Sequence, residues 1–235
     1  MLPEEHPIHS ASGAYFRKAW WLPATGATRL CIFLDAEYYL EKMDAAASLL
    51  ELQAARSIPP VNCLFVSNLS AEARQEDYIC NDDYSRFIAD DVVGWARSRA
   101  PQLTAEGHTI CGLSLSGLAA TYLTLTRPLL FPRALGQSAS FWWSDEWLVH
   151  HLPTLFTRPG RFWLSVGDKE RQSGILHVKL FQGVPQVDAV ERMANALSQR
   201  GCEVKYHLFQ GGHEIPPWKD ELPRALTWLL RHDSA

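Results

Sequence analysis

Short runs of apolar and β-branched residues alternate along this chain with longer stretches in which apolar positions recur at helical spacing. The strand-like runs cover residues 30–34, 63–66, 109–111, 134–136, 162–166 and 204–209, and the helix-like stretches lie near 43–56, 83–99, 116–126, 186–200 and 218–232. Strands separated by helices of this length need crossover connections. The pattern therefore predicts an α/β fold, with a mostly parallel central sheet and helices on both faces. An aromatic-rich segment at 15–22, stopped by Pro23, reads as an antiparallel edge strand. Pro and Gly fall between the elements, at Pro59, Pro60, Pro101, Pro128, Pro132, Pro159, Gly160, Gly211 and Gly212, where they terminate them. No repeat, linker or low-complexity stretch divides the chain, which predicts a single domain over 1–235. The aperiodic stretch 171–185 reads as a lid or rim. In open α/β sheets the ligand crevice lies beyond the carboxyl ends of the strands, so the residues just after each strand are the ones to search for chemistry.

Composition narrows the possibilities. With 235 residues, 47% of them hydrophobic and 20% charged, the chain can bury one substantial core. Its net charge of −4 and lack of any Lys/Arg cluster argue against a nucleic-acid surface, which needs concentrated positive charge. Five cysteines (Cys31, Cys63, Cys80, Cys111, Cys202) are odd in number, widely spaced and contain no CxxC pair, as suits free thiols in a reducing compartment. The start, Met-Leu-Pro-Glu-Glu-His, has no basic or apolar leader character, and no later run of about 18 apolar residues could span a membrane. The expectation is a cytoplasmic protein without membrane or nucleic-acid partners.

The most informative local feature is Gly-Leu-Ser-Leu-Ser-Gly at 112–117, between a strand-like and a helix-like run. It reads as a nucleophile elbow, a tight strand-to-helix turn that projects a serine hydroxyl beyond the sheet. Small residues must flank the serine because the two backbones pass close together. Ser114 satisfies this with Gly112 and Ser116, whereas a frame centred on Ser116 would place bulky Leu118 at a flank. After the 162–166 strand comes Gly167-Asp168-Lys169-Glu170, and after the 204–209 strand comes Gly211-Gly212-His213. A serine hydroxyl is a poor nucleophile, so a general base must take its proton and a carboxylate must orient that base. His213 fits the base, and Glu170 is the preferred acid. Asp168, closer to the strand end, is the alternative or a turn-capping residue. The chain order Ser114, Glu170, His213 is that of α/β-hydrolases. His6, His9, His150, His151, His177 and His232 have no comparable setting and receive no role.

Several segments together resemble the esterase D/enterochelin esterase group of α/β-hydrolases, from about Leu30 onward. They are Leu34-Asp35-Ala36-Glu37-Tyr38, the set Arg74, Asp77, Cys80-Asn81 and Tyr84, the elbow and its helix at 112–120, the run from Gln137 to Trp143, and Gly211-Gly212-His213 with Trp218. The resemblance implies a serine esterase working through an acyl-enzyme on siderophore-like or other small esters, without metal or cofactor. It also implies an oxyanion hole made by the Leu115 backbone N–H and a second N–H from the 36–38 loop, with Ala36 and Glu37 as candidates. Ala36 stands where the family usually has Gly, and so does Ser116. The separate N-terminal domain and the signal sequence of family members are not evident, and some members work with a Ser–His dyad.

Nine tryptophans are many for this length. Trp20, Trp21, Trp95, Trp163 and Trp228 are expected in the core. Trp142 and Trp143, followed by Trp147, come after the 134–136 strand and could equally line a substrate pocket or pack inside. Arg74 could contact an anionic substrate group, or pair structurally with Asp77 or Glu76. Two further functional readings fit the same residues: acyl transfer from the same acyl-enzyme, and a catalytically silent binding protein on this fold.

Overall fold

The computed structural model describes residues 2–231. Its strands are β1 (Glu4–His9), β2 (Phe16–Leu22), β3 (Leu30–Leu34), β4 (Asn62–Val66), β5 (Thr109–Leu113), β6 (Arg133–Gln137), β7 (Arg161–Gly167), β8 (Ile175–His177), β9 (Leu180–Gln182) and β10 (Glu203–Phe209). The helices are α1 (Ala45–Ala54), α2 (Ala71–Asp77), α3 (Asp82–Arg86), α4 (Val93–Arg99), α5 (Leu115–Thr126), α6 (Trp143–Leu155), α7 (Gln186–Ser198) and α8 (Ile215–Leu230). Eight strands form one sheet in the order β1-β2-β4-β3-β5-β6-β7-β10, while β8 and β9 pair as a separate hairpin. Within the eight-stranded sheet only the β1–β2 and β2–β4 pairings are antiparallel and the others are parallel, and the β8–β9 hairpin is antiparallel. This is the α/β architecture expected from the alternating pattern.

Every residue of β3, β4, β5 and β6 is buried, as happens when helices cover both faces of a parallel sheet. The period-2 alternation divides β3 between two cores. Leu30, Ile32 and Leu34 join the side packed by α4, α5, α6 and α7, and Cys31 and Phe33 join the side packed by α1 and α8. Helix α5 is buried along nearly its whole length, and its buried Thr121 and Thr124 return their hydroxyls to the carbonyls of Gly117 and Ala120.

Several expectations need correction. The segment at 15–22 is antiparallel but not an edge, because β1 pairs outside it; Glu4-Glu5-His6-Pro7-Ile8-His9 is too polar to read as a strand, yet an edge strand tolerates charge and proline. The helix expected over 83–99 is three helical pieces, with a π-helical segment at Phe87–Val92 between α3 and α4. The stretch 171–185 contains the β8–β9 hairpin, and α2 and α6 escape the periodicity reading. Helix α6 contains Pro153 and opens through Ser144, Asp145 and Glu146, all with left-handed φ. His232, at the end of the last expected helix, lies outside the described residues. Of the expected core tryptophans, Trp21 and Trp163 are buried, while Trp20, Trp95 and Trp228 are half-buried against the core.

His108, just before β5, is fully buried, and its Nδ1 accepts the Leu30 N–H at 3.2 Å. Burial, reinforced by the Arg97 and Arg29 charges, pushes its pKa down to about 4. Above about pH 6.5 the imidazole is neutral whether the chain is folded or unfolded. Between there and pH 4 only the unfolded chain takes up the proton, so stability falls as the pH falls. Over that window native protein should lose about 3 kcal/mol more unfolding free energy than His108→Asn. Urea denaturation at a series of pH values measures this, and parallel curves for the two proteins would contradict it.

Candidate active site

The elbow is built by close approach of β5 and α5. A Cβ on Gly112 would stand 2.1 Å from the Ser116 carbonyl oxygen, and one on Gly117 would stand 2.8 Å from Ala139 Cβ, so only glycine fits either position without displacement. Ser114 occupies the turn with φ 53° and ψ −122°, a strained conformation for a residue with a side chain. Its N–H donates to the Gln137 carbonyl at 2.8 Å, and its carbonyl accepts the Ser140 N–H at 3.0 Å, fastening the turn to β6. Ser116 does more than stay small. Its buried hydroxyl donates to the Leu113 carbonyl and accepts the Leu113 N–H, both at 2.8 Å, closing the turn from within. Leu115 opens α5, where a first-turn N–H has no partner inside the helix and the helix dipole favours negative charge.

The sheet brings the candidate acid and the candidate base to the same rim. Glu170, three residues past the end of β7, is buried, and its Oε2 accepts from His213 Nδ1 at 2.7 Å. Its Oε1 accepts the Gly167 N–H at 2.8 Å and the Ser138 hydroxyl at 2.6 Å. Asp168 instead accepts the Gly211 N–H at 3.0 Å and ties the histidine loop to the end of β7. The geometry thus separates the two carboxylates that the sequence left as alternatives. With Nδ1 turned to Glu170, the other nitrogen of His213 is left for the cleft. That cleft, about 530 Å³, is lined by Ser114, Leu115, Glu170 and His213. The Ser114 hydroxyl is hydrogen-bonded to Ser140 Oγ at 3.4 Å and not to His213. A second Glu–His pair, Glu221 with His207 at 2.8 Å, lies away from these lining residues and has no elbow serine beside it.

The 36–38 loop faces the elbow. Asp35 takes the left-handed φ of 62°, so the residue that must tolerate that conformation is the aspartate, and Ala36 fits where glycine is usual. Tyr38 and Tyr39 N–H groups both donate to the Asp35 carbonyl, leaving Ala36 and Glu37 as the first N–H groups of the turn. The Glu37 carboxylate accepts from the Ser67 hydroxyl and, at 3.2 Å, from the Asn68 N–H, anchoring the loop.

Arg74 lines the cleft, but its guanidinium forks onto the fully buried Asp35 carboxylate, Nε to Oδ1 at 2.9 Å and Nη2 to Oδ2 at 2.7 Å. Nη2 also reaches the Leu113 carbonyl at 3.4 Å, which joins this loop to the elbow strand. Burial opposes the Arg74 charge, yet the Asp35 carboxylate outweighs it and raises the pKa above the ordinary arginine value. Neither Asp77 nor Glu76 is its partner; Asp77 pairs with Arg17. The committed donors make Arg74 a clamp on the loop.

Of the two adjacent tryptophans only Trp142 reaches the cleft. Its Nε1 donates to Gln186 Oε1, and its ring stacks on His177 with centroids 5.3 Å apart. Trp143 packs edge-on against Trp147 at 6.0 Å and is not among the lining residues. The hairpin contributes Ile175, His177, Leu180 and Gln182 to the cleft wall, so it forms the rim. His177 has no assigned role from sequence, because no periodicity in 175–182 marks the hairpin that carries it. Among the described residues no His/Cys/Asp/Glu group could hold a metal ion, and no helix is long and apolar enough to cross a membrane.

With this geometry in place, a family model described as "Putative esterase" matches residues 15–229. The chain belongs to this esterase family. It is 29% identical over 224 residues to the iron(III) enterobactin esterase of Dickeya dadantii, covering 91% of this chain and 52% of that protein. Against the iron(III) salmochelin esterase of Escherichia coli it is 24% identical, over 82% of this chain and 48% of that protein. The chain spans about half the length of the curated relatives it matches. Among solved structures, an enterobactin esterase from Shigella flexneri superposes with a TM-score of 0.84 at 22% identity, covering 97% of this chain and 59% of that one. The BES protein from Bacillus cereus gives 0.79 at 16% identity, covering 99% and 97%. These likenesses are in fold alone.

Proposed function

We propose that this chain is a serine carboxylic ester hydrolase that acts on siderophore-like esters through an acyl-enzyme. The observation that carries this reading is the buried Glu170 paired with His213 at 2.7 Å, at the rim of the cleft into which the strained elbow projects Ser114. In the first step Ser114 Oγ attacks the ester carbonyl carbon while its proton passes to His213 Nε2. Glu170 holds the ring through Nδ1 and stabilises the imidazolium. The carbonyl oxygen becomes an oxyanion facing the Leu115 N–H and an N–H of Ala36 or Glu37, each such donor being worth a few kcal/mol. Collapse of this intermediate breaks the bond to the leaving alcohol, which takes the proton from His213. Water then attacks the acyl-enzyme, gives its proton to His213, and releases the acid as Ser114 regains a proton. No step requires a metal or cofactor.

The substrate class rests on the relatives, which are named for enterobactin and salmochelin. The cleft accords with a polar ester carrying a flat group, since Trp142 and His177 offer stacked rings beside Lys169, Gln172 and Gln182. A reducing, cytoplasmic setting belongs to the same reading and is supported by five free cysteines, four of them buried. The test is a panel of short-acyl chromogenic esters and trilactone siderophores. Hydrolysis of both, with the trilactone giving the higher kcat/KM, is expected. Turnover of simple esters alone would overturn the substrate class, and turnover of none would overturn the hydrolase reading.

A further inference from the structure

Ser138 and Trp218 take no part in the scheme above, yet they close its acid end. Ser138 follows β6, is fully buried and holds a left-handed φ of 43°, with its N–H fixed to the Ser165 carbonyl at 2.8 Å. A non-glycine residue kept in that conformation costs stability and persists only where its surroundings over-determine it. Here the surroundings aim its hydroxyl. Trp218 Nε1 donates to Ser138 Oγ at 3.0 Å, and an indole N–H can only donate. With a lone pair of the serine oxygen taken up in this way, the Ser138 proton goes to Glu170 Oε1 at 2.6 Å. The Gly167 N–H meets the same oxygen at 2.8 Å. With Oε1 engaged by these two donors, Oε2 is the oxygen turned to His213 Nδ1. Trp218 also meets the imidazole edge-on, at 4.9 Å and 89°, which limits the tilt of that ring. It is held in place in turn by its own carbonyl, which accepts from Gln137 Nε2 at 2.9 Å.

We infer that Ser138 and Trp218 are positioning residues for the reaction, forming a directed donor relay, Trp218 to Ser138 to Glu170, that presents the acid to His213. The inference rests on the assignment of Glu170 and His213 under the proposed function. Neither side chain lines the cleft, so loss of the relay lowers kcat and leaves KM unchanged.

Ser138→Ala removes the donor itself. Trp218→Phe keeps the ring edge but frees the hydroxyl to turn. Each is expected to reduce kcat on the order of 10- to 100-fold, the usual weight of a hydrogen bond to a charged group. Because both act through one bond, the double variant should be no slower than Ser138→Ala alone. The low-field proton resonance of His213 Nδ1–H, identified by its loss in His213→Gln, should shift or broaden in both single variants. The inference is overturned if both retain kcat within about twofold of native. It is equally overturned if their losses multiply in the double variant, or if the low-field resonance stays unchanged. Glu170→Gln separates this from failure of the underlying assignment. If that variant stays active, the acid is misassigned. If it is inactive while Ser138→Ala and Trp218→Phe behave like native protein, the acid stands and only the relay fails.

Discussion

Ser114→Ala is expected to lower kcat/KM for short-acyl chromogenic esters by about 10⁴-fold or more, the scale seen when a serine nucleophile is removed. Without Oγ no acyl-enzyme forms, and only oxyanion stabilisation and substrate binding remain. The neighbouring hydroxyls do not substitute. Ser116 Oγ is buried and engaged by Leu113 on both its donor and acceptor sides. Ser140 Oγ, 3.4 Å from Ser114 Oγ, lies off the elbow. Thermal unfolding of the variant should match native protein, since the turn is fastened by backbone hydrogen bonds to Gln137 and Ser140 and by the side chain of Ser116. Retention of more than about a tenth of native activity would remove Ser114 from the reaction.

Glu170→Gln carries the second-largest effect, a fall in kcat of about 10³- to 10⁴-fold. A glutamine can meet His213 Nδ1 with an N–H, which turns the imidazole to the wrong tautomer and leaves an imidazolium uncompensated. Asp168→Asn is the matched control. Asn Oδ1 still accepts the Gly211 N–H, so the histidine loop keeps its anchor and kcat stays within about threefold of native. Steady-state kinetics on the two variants measure both effects. The opposite ranking would transfer the acid to Asp168, and full activity in both would favour a Ser–His dyad.

Local pattern carried much of this architecture. Alternating apolar runs announced the parallel sheet because strands buried on both faces must be continuously hydrophobic, and the close approach at Gly112 and Gly117 leaves glycine in the sequence at fixed distances from Ser114. The positions of Glu170 and His213 after β7 and β10 follow from the same strand-end rule. Features that arise only from chain segments meeting in space stayed hidden. Arg74 lies 39 residues from Asp35, and Trp218 lies 80 from Ser138, so no periodicity links either pair. The β8–β9 hairpin is too short to leave a strand signature, although it supplies His177 to the cleft. Trp142 and Trp143 are indistinguishable in sequence. Only the folded chain separates them, with Trp142 on the cleft wall and Trp143 against Trp147.

The central claim is that the elbow hydroxyl is an activated nucleophile. Intact-mass measurement after exposure to a fluorophosphonate probe, followed by peptide mapping, tests it most directly. A single adduct on Ser114, absent from Ser114→Ala and formed much more slowly in His213→Gln, is the predicted result. Native, folded protein that takes up no adduct, or takes it up at another residue, would contradict the account.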